Sequence, residues 1–155
     1  MVQNIFENPD DFQIVYQLVF DSDKTVAWRA AWACTKISER TPEWFSEQQV
    51  QEIMDFALSV NSKSVLRGCL AIILNLPLPQ NISVHFINAC FDWMISPKFP
   101  ISVQSISMKI MFEICQKQPD FSSELKVYLE NVDTSCFSAG FNSTRKNILK
   151  KLKVS

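Results

Sequence analysis

Apolar positions recur along this chain at helical intervals from one end to the other. Val50, Ile53, Met54, Ala57 and Leu58 stand at i, i+3, i+4, i+7 and i+8, which puts all five on one stripe of an α-helix. Phe86, Ala89, Cys90, Trp93 and Met94 repeat that spacing, and Val103, Ile106, Ile110, Met111 and Ile114 come close to it. Ser46, with Gln49 three positions on, has the capping-box pattern immediately before the Val50 stripe. No segment alternates apolar and polar residues for long enough to make a strand. The pattern predicts an all-α chain.

Prolines punctuate the helical pattern. "NPDDF" at 8–12, "TPEWF" at 41–45 and "QPDFS" at 118–122 echo one another, and "LPLPQ" at 76–80 falls where a further copy is expected. Proline followed by an acid suits a first helical turn, where the missing donor costs nothing and the acid meets the positive end of the helix dipole. Pro97 and Pro100 mark a turn inside one pair. These breaks predict four helix pairs, at about 10–40, 43–76, 80–117 and 120–153, in a single helical-repeat domain over residues 1–155.

Pairs of helices call for a search for internal repeats. "WRAAWA" at 28–33 aligns with "LRGCLA" at 66–71 at an offset of 38, placing Arg29 on Arg67, Ala30 on Gly68 and Trp32 on Leu70. "VQSISM" at 103–108 follows 37 positions later, with Gln104 in the place of the arginine, and "GFNSTR" at 140–145 is a weaker echo. "WRAAWAC" and "LRGCLAI", an apolar residue, an arginine and then small residues, resemble the second helix of HEAT-like or armadillo-like α-solenoid repeats. The Asp-Pro that usually precedes that helix is absent, and the third and fourth copies lack the arginine. The resemblance implies an α-α superhelix of about four hairpins, whose second helices stack.

The stretch "AWRAAWACTKI" at 27–37 mixes the smallest and largest apolar side chains. On a helical wheel Val26, Ala30, Ala33 and Ile37 share one face, with Trp28 and Trp32 nearly opposite, beside Thr35 and Glu39. Small residues allow close backbone approach. The tryptophans admit two readings: their alignment with Leu66 and Leu70 makes them core between repeats, and their polar neighbours make them an open groove. Arginine and tryptophan together are the composition of interface hot spots.

Composition narrows the class. With 155 residues, 47% apolar and 20% charged, the chain is long enough for one buried core. Two glycines exclude a Gly-rich phosphate loop. The longest apolar run, Cys69 to Leu74, is too short to span a bilayer, and the amino terminus lacks the basic and apolar stretches of a secretory signal. Five widely spaced cysteines inside apolar helical patterns predict buried free thiols in a reducing compartment, hence a cytoplasmic protein. Net charge is -1, but residues 1–60 carry ten acids and four bases, and residues 61–155 six acids and eleven bases.

Candidate chemistry is sparse. His85 is the only histidine, which leaves no zinc set and no histidine-based catalytic arrangement with evident partners. "DSD" at 21–23 lacks the remaining ligands of a calcium loop. No cofactor is expected. The expected function is a non-enzymatic module that binds a protein or peptide on a concave ridge of Trp28, Arg29, Trp32, Arg67 and Gln104, as a monomer or weak homo-oligomer. The carboxy-terminal helix has an apolar stripe of Ile148, Leu149 and Leu152 and a basic side of Arg145, Lys146, Lys150, Lys151 and Lys153. It predicts a terminal cap or a contact for an acidic partner. Some HEAT-like proteins are DNA glycosylases that remove alkylated bases on a basic face, so the resemblance also implies a DNA-binding alternative, against which the near-neutral charge argues. A self-assembling structural component, with the acidic first part meeting the basic second part of another copy, is a third possibility.

Overall fold

A computed structural model describes residues 2–154 and is all-α, with nine α-helices, three short 3-10 turns and no strand among those residues. The chain divides into two compact units, residues 1–79 and 80–155.

The first unit opens with α1 (Val2–Glu7), followed by the hairpins α2 (Asp11–Leu18)/α3 (Lys24–Arg40) and α4 (Glu47–Ala57)/α5 (Lys63–Asn75). Each start has a local cause. Asp23 accepts from the backbone N–H groups of Thr25 and Val26 to begin α3, so part of "DSD" is a helix cap. Both halves of the Ser46/Gln49 capping box form at α4, and Ser62 caps α5 through the Val65 N–H. Pro42 opens a 3-10 turn, Pro42–Trp44, between the hairpins. The helix α1 precedes the first expected pair; it buries Ile5 and sets Phe6 under the Arg40 guanidinium, 3.9 Å from the ring centre.

Within this unit α2 packs on α3, α4 on α5, and α3 runs along α5. The last of these crossings explains the small residues. The buried side of α3 is Ala27, Ala30, Ala31, Ala33, Cys34, Ile37 and Ser38, whereas α5 buries Val65, Leu66, Cys69, Leu70, Ile72 and Ile73. A Cβ placed on Gly68 would stand 2.6 Å from the Ala31 Cβ, well inside van der Waals contact. Further along, Asn75 donates to the Ser38 hydroxyl at 3.0 Å and to the Thr35 carbonyl at 3.4 Å. Across the hairpins, the buried Tyr16 hydroxyl of α2 donates to the Glu52 carboxylate and lies 3.3 Å from the Gln49 carbonyl of α4.

The second unit pairs α6 (Val84–Ile95) with α7 (Ile101–Lys117) and α8 (Ser122–Asn131) with α9 (Ala139–Val154). Here α7 packs on both α6 and α9, around Phe86, Met94, Met108, Ile110, Leu125 and Phe141. Caps again mark the starts: Ser83 for α6, Pro100 at the first position before α7, and the Ser138 hydroxyl accepting from the Phe141 N–H at α9.

The caps correct the repeat register. Asp23 and Ser62 are 39 positions apart, and Ser62 and Pro100 are 38 apart. The sequence alignment is therefore one residue out at each step. Trp28, not Arg29, corresponds to Arg67; Trp32 corresponds to Ala71; and Gln104 corresponds to the buried Leu66. The error has a physical origin. Buried positions on these helices come in adjacent pairs, so a shift of one residue still superposes many apolar positions. The cysteine expectation also needs one correction: Cys34, Cys69, Cys90 and Cys115 are buried, but Cys136 is exposed in the turn Thr134–Cys136 rather than inside a helix.

Candidate functional site

Helical geometry places two facing stripes on the open side of the first unit. Trp28, Trp32, Thr35, Lys36 and Glu39 of α3 stand at i, i+4, i+7, i+8 and i+11, and Ser64, Arg67, Gly68 and Ala71 of α5 at i, i+3, i+4 and i+7. Together they line a cleft of about 420 Å³. The close crossing at Ala31 and Gly68 brings the two stripes together, and the short side chains of Gly68 and Ala71 leave room between them.

The open reading of the tryptophan pair is the observed one. Trp28 is 45% exposed and Trp32 is 50% exposed, while Leu66 and Leu70, their partners in the sequence alignment, are 3% and 0% exposed. The large side chains do not fill a gap between repeats. They stand at the cleft, where two indoles offer apolar surface with few rotatable bonds.

The polar lining is unevenly satisfied. Thr35 turns its hydroxyl back to the Ala31 carbonyl at 2.8 Å. Lys36 and Glu39 form a half-exposed ion pair at 3.7 Å. Arg67 is exposed and, among the described residues, makes no ion pair or hydrogen bond. Its guanidinium can take a carboxylate in a two-point hydrogen bond. No histidine or cysteine lines the cleft, so it holds no nucleophile with an imidazole base.

The other expected site residues are dispersed. Arg29 is exposed on α3 but is absent from the cleft lining. Gln104 is 3% exposed in the second unit and donates to the Ser96 carbonyl at 2.8 Å, which ties the start of α7 to the end of α6. It is a structural residue, because its side chain is buried and its amide is engaged by a backbone carbonyl. In α9, Arg145 donates to the Leu129 carbonyl near the end of α8, and Lys151 lies 5.5 Å from the Phe112 ring centre. Lys146, Lys150 and Lys153 are exposed. His85 is exposed on α6, and no group of three or more His, Cys, Asp or Glu side chains among the described residues is arranged to hold a metal ion.

Sequence reasoning missed Ser64, Gly68 and Ala71 as cleft residues. Their signal was present in the run of small residues at i, i+4 and i+7 around Arg67, which is what the wall of a cleft requires. A second, mostly apolar cleft of about 340 Å³ lies in the second unit, lined by Ile95, Val127, Tyr128, Asn131 and Val132. Its amide is already engaged, since Asn131 donates to the Val127 carbonyl. No helix among the described residues is long and apolar enough to cross a membrane.

Comparison with known proteins bears on the whole chain. A family model described as a HEAT repeat domain matches residues 1–152. No curated protein matches, and no solved structure matches.

Proposed function

Because the chain belongs to the HEAT repeat family, we propose that it is a non-enzymatic interaction module that takes a protein or peptide partner in the α3/α5 cleft. One observation carries this reading: two tryptophans, each about half exposed, share a cleft with an arginine that has no partner among the described residues. Exposed aromatic side chains lose solvent on binding, and a cation beside them fixes the orientation of what they grip. Stacked helical pairs supply such surfaces along their length, and the family supports an interaction role while leaving the partner open. A single match over residues 1–152 supports treating both units as one repeat domain. Four buried free thiols suit a reducing compartment, so the proposed location is the cytoplasm.

Panning a random peptide library over the immobilised chain tests the proposal. Peptides that bind should shield Trp28 and Trp32 from iodide quenching, and Trp28→Ala with Trp32→Ala should abolish their binding at about 25 °C while the helical signal at that temperature stays close to the parent. Enrichment of no peptide, or equal binding by the double variant, refutes it.

A further inference from the structure

Charge in this protein is sorted by helix, which the net value of -1 conceals. All six bases of the first unit lie on α3 and α5: Lys24, Arg29, Lys36, Arg40, Lys63 and Arg67. Of its ten acids only Glu39 lies on those helices, and that one is paired with Lys36. The other nine acids occupy α1, α2, α4 and the turns. The second unit repeats the arrangement, with seven of its nine bases and one of its six acids on α7 and α9.

Helix stability alone does not call for this. The dipole favours cations only in the last turn, and Arg29 and Arg67 stand well before it. Surface support from i, i+4 pairs would mix the two signs on each helix. Segregation instead forgoes such pairs and leaves Arg67 in the cleft with the two exposed indoles, on helices whose single acid, Glu39, is already paired with Lys36.

We infer that the α3/α5 cleft takes an acidic segment of another protein that also carries a large apolar side chain. This rests on the interaction reading above and specifies its partner. The apolar side chain lies against Trp28 and Trp32, a carboxylate reaches Arg67, and further carboxylates meet the other bases of α3 and α5. A protein segment fits better than a nucleic acid. The first unit as a whole is acidic, with ten acids against six bases. A phosphate backbone, charged about every 1.7 Å of duplex axis, would run from this face onto the acidic helices beside it. A short acidic segment ends before it meets them.

Fluorescence anisotropy on the full chain tests this with three pools of short labelled peptides. The first draws at random on Asp, Glu, Phe and Leu; the second replaces the acids with Lys; the third replaces Phe and Leu with Ser. The first pool should bind at least about ten-fold more tightly than either other pool, a difference of about 1.4 kcal/mol. Raising the salt from about 50 mM to about 500 mM should weaken it several-fold. Arg67→Gln should weaken it about ten-fold, and Lys126→Gln, on α8, should leave it unchanged. Equal binding of the lysine pool would overturn the acidic partner while leaving the cleft as a peptide site. Binding by none of the pools would overturn both. Tighter binding of an oligothymidylate, or of the labelled chain to itself, would reassign the face to nucleic acid or to self-association.

Discussion

The sharpest test of this architecture is the addition of one methyl group at Gly68. In Gly68→Ala the new Cβ stands 2.6 Å from the Ala31 Cβ, about 1 Å inside the best separation for two carbons. Both Cβ atoms are fixed rigidly to the backbones of packed helices, with no rotatable bond to move them aside, so relief requires α3 and α5 to move apart. Overpacking of this kind costs about 1–3 kcal/mol. Helix propensity opposes it, because alanine is favoured over glycine in a helix interior by about 1 kcal/mol. The single variant should therefore lose up to about 2 kcal/mol. Ala31→Gly alone gives up about 1 kcal/mol of propensity and about 0.8 kcal/mol from the buried methyl. In the double variant the propensities exchange and one methyl again occupies the crossing, so stability should return close to the parent. The coupling is then about 2 kcal/mol or more, far beyond the error of additive sites. Urea unfolding followed by tryptophan emission is the assay, because Trp28, Trp32 and Trp44 all lie in the first unit. A double variant that sums the two losses would refute close packing at this point.

Three further outcomes follow from burial. Trp32→Ala should cost about 1–2 kcal/mol in urea unfolding, because half of the side chain is already in water; a loss of about 3–5 kcal/mol would mark it as core. Ellman's reagent should label one thiol per folded chain at once, Cys136, and the four buried ones only on unfolding. Stability should fall as pH rises above 9. Burial pushes the Cys34 thiol from 9.0 up to about 12, helped by the neighbouring Cys69, and burial pushes Cys69 likewise up to about 12. Between 9 and 12 the unfolded chain has lost these protons and the folded chain keeps them, so the slope with pH is negative; by pH 10 each thiol accounts for about 1.4 kcal/mol. Cys34→Ala should flatten that decline, and an unchanged slope between pH 8 and 10 would contradict it.

The helices were legible in the sequence because each carries its own evidence. The Val50 stripe and the Ser46/Gln49 box are local, and both form at α4. Register between hairpins was not legible to one residue, since it depends on which of two adjacent apolar positions faces the neighbour. Ala30 and Ala31 are both buried, as are Cys69 and Leu70, so composition is indifferent to the choice between them. The caps Asp23 and Ser62 would have decided it, being local and unambiguous, had they been aligned in place of the arginines. Gln104 entered the expected site through that slip. A polar side chain in an apolar helix carries no mark distinguishing an exposed donor from one whose acceptor, here the Ser96 carbonyl, arrives from the preceding helix.

The tryptophans raise the opposite difficulty. Large apolar side chains belong in a core by transfer energy, and in the sequence the polar neighbours Arg29, Lys36 and Glu39 argue otherwise. Once α5 approaches α3 closely enough for Gly68 to touch Ala31, side chains on the outward stripes of both helices are too far round to be enclosed at that crossing. Close approach and open indoles are therefore one structural choice. Replacing Ala31 and Gly68 with larger residues would separate the helices and widen the floor between Trp32 and Ala71. Partner affinity and α3/α5 packing should accordingly decline together in such variants, whereas Arg67→Gln should lower affinity alone.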